Sequence, residues 1–270
     1  THVGGVTVSS PVHLLADGSL DGNWKAEEGG KGCLVLASGA LLLDTAGFFG
    51  PTKLVALEQT TGKRRPWTLS FDERISGMAV LGDTVYLAGE FSKVGEDPRR
   101  GLAALNASTG QLLPWHPEVG GIFLDILASP RAVYAGGSAF RFGDQPMTLN
   151  AGVVSLDPKS GKMAPWKVQI PQARSLALAG SRLFVAGDFI RTWEGTPLAR
   201  IACLDSESGE ILPWQGGIKG ERINRIAVLG GTLYAAGQIE GASSGDPRMN
   251  LAAFDTVSGA ALPWAPQANQ

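Results

Sequence analysis

One pattern of apolar and polar positions recurs five times along the chain. Each copy begins with small and branched apolar residues, passes through a polar turn that ends in glycine, and closes with a second short apolar run followed by Pro-Trp. In the copy at residues 102–115 the sequence is LAALNASTGQLLPW. Short apolar runs bounded by turn residues are typical of β-strands. The other copies span residues 54–67, 153–166, 201–214 and 251–264.

The spacing of the copies predicts the fold class. Their turn glycines follow one another at intervals of 48 to 51 residues: Gly62, Gly110, Gly161, Gly209 and Gly259. A unit of this length that is rich in strands and glycine turns favours an all-β propeller. In one full repeat the pattern predicts four antiparallel strands, named a to d: 75–81, 84–91, 101–106 and 111–115. The sequence therefore predicts a β-propeller with four-stranded antiparallel blades.

The repeats divide the whole chain. The full repeats are predicted at residues 25–67, 68–115, 116–166, 167–214 and 215–264. Residues 1–24 match only strands b, c and d, with Val3-Gly4-Gly5 as strand b, so their strand a is missing. We therefore predict a single propeller domain over residues 1–270, with six blades and an incomplete N-terminal blade. Ring closure would then need an apolar strand in a chain that continues beyond Gln270, and the start in mid-repeat leads us to expect an upstream segment.

The composition agrees with this fold and narrows the classes of molecule that the protein could bind. The 270 residues are 44% hydrophobic and include 37 glycines and 16 prolines for turns. The net charge of −2 comes without a basic cluster, so bulk electrostatics favours neither nucleic acid nor an anionic membrane. No apolar run is long enough to predict a membrane span, and we expect a monomeric domain. Cys33 and Cys203 occupy different repeat positions and are predicted to be small buried hydrophobes.

Around the turn glycine and the tryptophan of each motif, the sequence resembles known propeller repeats. The string ALNASTGQLLPW is similar to the tryptophan-docking motif of quinoprotein-like propellers, with Pro114 as one extra residue. A closer similarity is to the delta-60 repeat group of bacterial propellers, through DGSLD at 17–21, VYLAGEF at 85–91 and a GxxPR-like corner at 96–99. The resemblance covers essentially the whole chain. It implies an extracytoplasmic propeller (secreted, periplasmic or on the cell surface) within a larger protein, but no mechanism.

The repeated tryptophans are predicted to pack between blades in equivalent, mostly buried sites, since each has a fixed distance from the turn glycine. A stacking platform for sugars or bases is the alternative. These residues are Trp67, Trp115, Trp166, Trp214 and Trp264. Trp193 lies outside the motif, in a corner between strands b and c. It is either a contact for a partner or a cap on the adjacent blade.

Polar residues on strand a, which lines the channel of a propeller, differ between repeats. They are Ser76, Asp125, Arg174 with Ser175, and Asn224 with Arg225. Asp125, Arg174 and Arg225 could hold a small anion or polar ligand, or could pair with one another and with water to plug the channel. Because a buried carboxylate is costly to desolvate, we expect Asp125 to lie near Arg174, Arg225 or a bound cation.

Signals for catalysis are weak. The histidines, His2, His13 and His116, do not have metal-ligand spacing, and neither a GxSxG elbow nor a P-loop pattern is present. The loops that carry quinone chemistry in larger quinoproteins have no room in these repeats. We therefore predict no catalytic residue, no metal site and no cofactor.

Three classes of function stay open. The leading one is a non-enzymatic scaffold propeller that binds a protein or cell-surface partner outside the cytoplasm. The second is a carbohydrate-binding propeller, which would need the same residue in the same corner of several blades, although the corner sequences differ. The third is an enzyme acting in the channel, a hydrolase or a quinone-dependent dehydrogenase, which would need convergent acid and base groups.

Overall fold

The regular elements of the described chain are β-strands. The computed structural model describes residues 2–3, 6–7, 11–30, 32–45, 50–142, 151–166, 170–192, 194–242, 245, 247–264 and 266, and gives only the backbone of residues 2–3, 6–7 and 139–142. The chain divides into two compact units, residues 1–116 and 117–270. The division falls one residue after a predicted repeat boundary. The assignment of one domain with these repeat bounds stays a prediction.

The first unit contains three sheets in its described part. Its strands are β1 (His2–Val3), β2 (Val6–Thr7), β3 (Leu34–Ala37), β4 (Ala40–Asp44), β5 (Thr52–Glu58), β6 (Arg64–Phe71), β7 (Ile75–Leu81), β8 (Thr84–Gly89), β9 (Lys93–Val94), β10 (Asp97–Pro98) and β11 (Leu102–Asn106). β1 pairs with β2, β3 to β6 form an antiparallel sheet that β9 and β10 extend, and β7, β8 and β11 form another. Residues 4 and 5, part of the predicted first strand b, lie outside the described residues.

The second unit repeats one design three times. Its strands are β12 (Val119–Ala128), β13 (Val133–Phe142), β14 (Val153–Leu156), β15 (Ser175–Ala179), β16 (Arg182–Ala186), β17 (Ile201–Asp205), β18 (Ile218–Leu229), β19 (Thr232–Ala242) and β20 (Leu251–Asp255). Each consecutive set of three forms an antiparallel sheet in chain order. These strands correspond to a, b and c of the predicted repeats.

Strand d is shorter than the sequence predicts in four of the five full repeats. Only the first has a regular strand there, β6, whereas the others make one isolated bridge each. In the second repeat this bridge joins Leu105 to Leu112, and Pro114 follows. Proline has no N–H to donate to the ladder. In the first repeat Pro66 lies where the register of β6 with β5 is irregular, and pairing resumes after it.

Glycine near the end of strand b is required by a close backbone approach. In the repeats that contain β7, β12 and β18, strand a has an irregular register opposite this glycine. A β-carbon added to any of four such glycines would overlap a carbonyl oxygen of strand a or of the segment before it. The glycines are Gly89, Gly137, Gly187 and Gly237, and the carbonyls belong to Arg74, Ile122, Gln172 and Arg222. Strand b therefore needs glycine at this position, because the backbone of strand a comes too close for a side chain.

The core lies between successive sheets within each unit. In the first unit Leu42 and Leu54 of one sheet are buried with Val85 and Leu87 of the next. In the second unit Phe184 and Phe254 lie in one cluster shared by neighbouring sheets. Strands b and c are apolar on both faces, so each sheet needs a neighbour on either side.

We expect Gly137→Ala to destabilise the protein by about 1 to 3 kcal/mol, because the methyl group forces strand a away from strand b. Urea unfolding followed by intrinsic fluorescence measures the change in unfolding free energy. Gly22→Ala is the matched control, since a β-carbon there meets nothing within 4 Å. Its expected effect is within about 0.5 kcal/mol. Equal unfolding midpoints for the two variants would show that the close approach does not require glycine.

Candidate functional site

A side-chain oxygen organises the turn in four of the five tryptophan motifs. Asp205 Oδ1 accepts hydrogen bonds from the N–H of Glu207 at 3.0 Å and of Ser208 at 2.8 Å, and from Ser208 Oγ at 3.1 Å. Gly209 follows with a φ of 75°, a conformation that glycine adopts without strain. The same contacts recur at Asn106, Asp157 and Asp255.

These bonds stabilise the charged carboxylates. The backbone N–H three residues further on is the largest influence on Asp157, Asp205 and Asp255, and it lowers the pKa of each carboxyl group. Asn106 provides an amide oxygen in the same position, so geometry rather than charge is common to the four turns. In the first repeat Glu58 occupies this position and its carboxylate instead pairs with Arg65 at 2.7 Å.

The tryptophan rings reach the turn of the following repeat. Trp166 donates from Nε1 to the carbonyl of Glu207 at 2.7 Å, and Trp214 donates to that of Asp255 at 3.2 Å. Trp24 of the partial repeat makes the equivalent bond to the carbonyl of Gln59 at 2.9 Å. Trp67 uses its ring face, because a β-carbon on Gly110 would overlap the indole. These four rings therefore contact the next repeat.

The prediction that the five tryptophans occupy equivalent, mostly buried sites is wrong for Trp264. Trp115 is only 4% exposed, whereas Trp264 is 44% exposed. Trp67, Trp166 and Trp214 are half-buried. The exposed fraction therefore differs between equivalent positions of the motif. That these rings serve packing and not ligand binding stays a prediction.

Three inner strands are joined by a polar cluster in the second unit. Asp125 on β12, Ser175 on β15 and Arg225 on β18 stand 50 residues apart. Asp125 Oδ2 accepts from the N–H of Leu176 at 2.8 Å and from Ser175 Oγ at 3.1 Å, while Oδ1 lies 2.9 Å from Arg225 Nη1. Ser175 Oγ in turn accepts from the N–H of Ile226 at 3.1 Å. Asp125 and Ser175 thus each bond to the backbone of the next inner strand, and Arg225 pairs with the Asp125 carboxylate.

The cluster satisfies the Asp125 carboxylate with groups of the chain itself. Both oxygens have donors, and Asp125 and Ser175 are buried. The prediction that Asp125 lies near Arg225 is confirmed. The Arg225 side chain remains 56% exposed, so its guanidinium still faces solvent. Whether this cluster binds a ligand stays a prediction.

Arg174 does not join this cluster. Its Nη2 lies 2.7 Å from Asp188 Oδ2, and its Nε donates to the same oxygen at 2.8 Å. Arg174 lies in a bend just before β15, and its guanidinium pairs with Asp188 of its own repeat. The idea that Asp125, Arg174 and Arg225 form one charged group is therefore wrong for Arg174. Asp188 was not predicted, although Glu90 follows the equivalent glycine and pairs with Arg74.

Other candidate chemistry is limited on the described residues. No group of three or more His, Cys, Asp or Glu side chains there is placed to hold a metal ion. Partial burial and, to a smaller extent, the charges of Arg99 and Arg100 lower the pKa of His116. Trp193 lies outside the described residues. In the part of the chain that is described, no helix is long and apolar enough to cross a membrane.

Antiparallel sheets joined by tryptophan contacts within each unit are typical of β-propellers. The family model described as "Outer membrane protein assembly factor BamB" (PQQ_2) matches residues 20–262. The chain therefore belongs to this family of quinoprotein-like propellers. The predicted all-β propeller is confirmed, whereas the count of six blades stays a prediction.

Solved structures with a similar fold include the WD40 domain of Pan2 from Neurospora crassa, with a TM-score of 0.56 and 11% identity over 87% of this chain and 65% of that chain. BamB from Moraxella catarrhalis has a TM-score of 0.46 and 18% identity, over 77% of this chain and 56% of that one. The computationally designed Ika4 protein has a TM-score of 0.43 and 14% identity, over 67% of this chain and 91% of that one. This chain thus spans less than two thirds of the first two. No curated protein sequence matches it.

We expect Asp125→Ala to lower the free energy of unfolding by about 1 to 3 kcal/mol, because it leaves the buried N–H of Leu176 without an acceptor. Arg131→Ala is the control, since Arg131 forms a solvent-exposed ion pair with Glu207 and exposed pairs contribute about 0 to 1 kcal/mol. Chemical denaturation of both variants gives the comparison. A loss for Asp125→Ala no larger than that for Arg131→Ala would contradict a structural role for the cluster.

Proposed function

We propose that this chain is a non-enzymatic scaffold propeller that binds a protein or cell-surface partner outside the cytoplasm, as part of a larger protein. Membership in the family described as an outer membrane protein assembly factor is the observation that carries the proposal. Assembly of other proteins requires contact with polypeptides, and that family description supports an extracytoplasmic location.

The inner-strand geometry supports a scaffold role. The polar side chains of strand a that the sequence singled out for ligand binding make contacts within the chain: Asp125 with Ser175 and Arg225, and Arg174 with Asp188. The Asp125 contacts join neighbouring repeats, whereas the Arg174–Asp188 pair joins two segments of one repeat. The proposal therefore assigns partner binding to outer turns.

Two turns of the last repeat offer a contact surface for a partner. Leu229 precedes the turn between strands a and b and is 74% exposed, and Val257 lies in the tryptophan-motif turn and is 64% exposed. Thr256 links the two turns. Its N–H and its Oγ1 both donate to the carbonyl of Gly231, at 3.0 and 2.9 Å. Exposed apolar side chains on neighbouring, fixed turns favour contact with a protein. We call Leu229 and Val257 the turn patch.

The closer grouping with delta-60 repeat propellers is also a proposal. The PR corner of that group is present twice with one geometry. Arg99 donates to the carbonyls of Pro98 and Leu113, and Arg248 donates to those of Pro247 and Leu262. In both repeats the arginine links the corner to the segment that precedes the Pro-Trp pair.

A carbohydrate-binding propeller is the second candidate. One observation favours it: a polar cleft of about 220 Å³ in the last repeat, with carboxylates and carboxamides that can bond to sugar hydroxyl groups. Its lining residues are Glu221, Gln238, Ile239, Glu240 and Asn250. The corner sequences of the other repeats differ, so the cleft is not a repeated site. Nothing on the described residues favours a channel-sited hydrolase or a quinone-dependent dehydrogenase.

In its native host, we expect the full-length protein to fractionate with the cell envelope and a photo-cross-linking residue at position 257 to capture a protein. The same residue at buried position 87 is the control and should capture none. A glycan array probed with the purified protein should show no specific binding. Recovery of the protein in the cytoplasmic fraction, or specific binding to one glycan class, would overturn the scaffold proposal.

A further inference from the structure

The outer strand of the first full repeat has an open backbone edge. β6 is hydrogen-bonded to β5 along one side, and on its other side it pairs with β9 only where Phe71 lies opposite Val94. Residues 64–69 therefore have no strand partner on this second side within the described chain. We call this side of β6, from Arg64 to Ser70, the open edge.

The hydrogen-bond pattern shows which backbone groups face the open edge. Opposite residues of an antiparallel pair turn their backbone groups alternately toward and away from each other. Lys53 and Ser70 are opposite, and the Lys53 carbonyl accepts from the N–H of Thr45, on the far side of β5, at 2.9 Å. Ser70 accordingly faces outward, where its carbonyl accepts from the N–H of Gly95 at 2.8 Å. Thr68, two residues earlier, faces the same way. The N–H of Ser70 and both backbone groups of Thr68 have no partner among the described residues.

A regular strand at this outer position occurs in one of the five full repeats. In the other four the equivalent segment makes one isolated bridge. The chain itself already pairs a segment with this side of β6, because β9 of the next repeat adds to the sheet at Phe71. Pro66 has no N–H to donate, so the donors left for a further strand are those of Thr68 and Ser70. The open edge thus continues an existing interface over a short length.

Charge around the open edge indicates which strand would fit it. Three lysines beside β6 are exposed and form no ion pair with a described residue: Lys53, Lys63 and Lys93. Two carboxylates of the same region are already matched, Glu28 with Arg64 at 3.1 Å and Glu58 with Arg65 at 2.7 Å. A second copy of this edge would bring lysines against lysines, which is destabilising on adjacent strands. An acidic strand would instead complement them.

We propose that the open edge of β6 binds an extended, acidic segment of a partner polypeptide, which adds to the sheet as a further strand. The segment bonds to the backbone of Thr68 and Ser70 and continues the line of β9. Main-chain hydrogen bonds supply the affinity of such strand addition, and the lysines select acidic side chains. The proposal deepens the scaffold role and rests on it for the nature of the partner.

The probe is a fluorescein-labelled synthetic peptide of alternating valine and glutamate. Fluorescence anisotropy at low salt should show saturable binding to the protein. Thr68→Pro removes an N–H from the open edge, a position where an edge strand tolerates proline, and should weaken binding about tenfold or more. Thr68→Ala is the matched control, because it loses the same side chain but keeps the N–H, and should leave the affinity unchanged.

Three further measurements test the proposal without the proline substitution. The same peptide methylated at every backbone nitrogen has no N–H to donate and should bind about tenfold more weakly or not at all. Lys53→Glu combined with Lys63→Glu should also weaken binding, since it reverses charge beside the edge. Lys159→Glu, an equally exposed lysine in the other unit, should not change it.

Absence of saturable binding, or equal affinity for the methylated and unmethylated peptides, would overturn the proposal. Dimerisation of the protein that Thr68→Pro abolishes would assign the edge to a second copy instead. Binding by residues 1–270 but not by the natural full-length protein would assign it to a segment of the same chain. If peptide binding fails while cross-linking at position 257 persists, only this inference falls and the scaffold proposal stands.

Discussion

Contact between successive repeats is the constraint on which this structure depends. Strands b and c are buried on both faces, as in β5, β8 and β11, so a single sheet would leave a large apolar surface in water. Repeat proteins with this property are stable only when neighbours stack. In both units a tryptophan Nε1 bonds to a carbonyl of the next repeat, as Trp24 does to Gln59 and Trp166 to Glu207.

Two kinds of polar contact serve this purpose at opposite ends of the repeat. At the outer end a tryptophan Nε1 donates to a carbonyl in the next tryptophan-motif turn, as Trp166 does to Glu207. At the inner end a side chain of strand a accepts the N–H of the next strand a, as Asp125 does from Leu176 and Ser175 from Ile226. The inner polar residues differ in type because aspartate and serine both supply the oxygen that this contact needs.

The sequence predicted the local parts of this arrangement well. Strand a of the second repeat has its predicted bounds, Ile75–Leu81, because apolar alternation and the Gly82-Asp83 turn are short-range signals. Hydrogen-bond partners that the stacking of repeats brings together were harder to predict. The bond between Asp125 and Leu176 spans 51 residues. Likewise, Arg200 takes a φ of 65° just before strand c, where Gly101 stands in another repeat, so glycine does not mark this position reliably.

Hydrogen exchange at the amide of Ile226 tests the central claim most directly. This N–H donates to Ser175 Oγ on the preceding strand a, and Ser175→Ala removes the acceptor without enlarging the side chain. In the native state we predict that Ile226 exchanges at least tenfold faster in this variant, while the amide of Leu87, in the other unit, keeps its rate. An unchanged exchange rate at Ile226 would contradict the account, because side chains of strand a would then not hold successive repeats together.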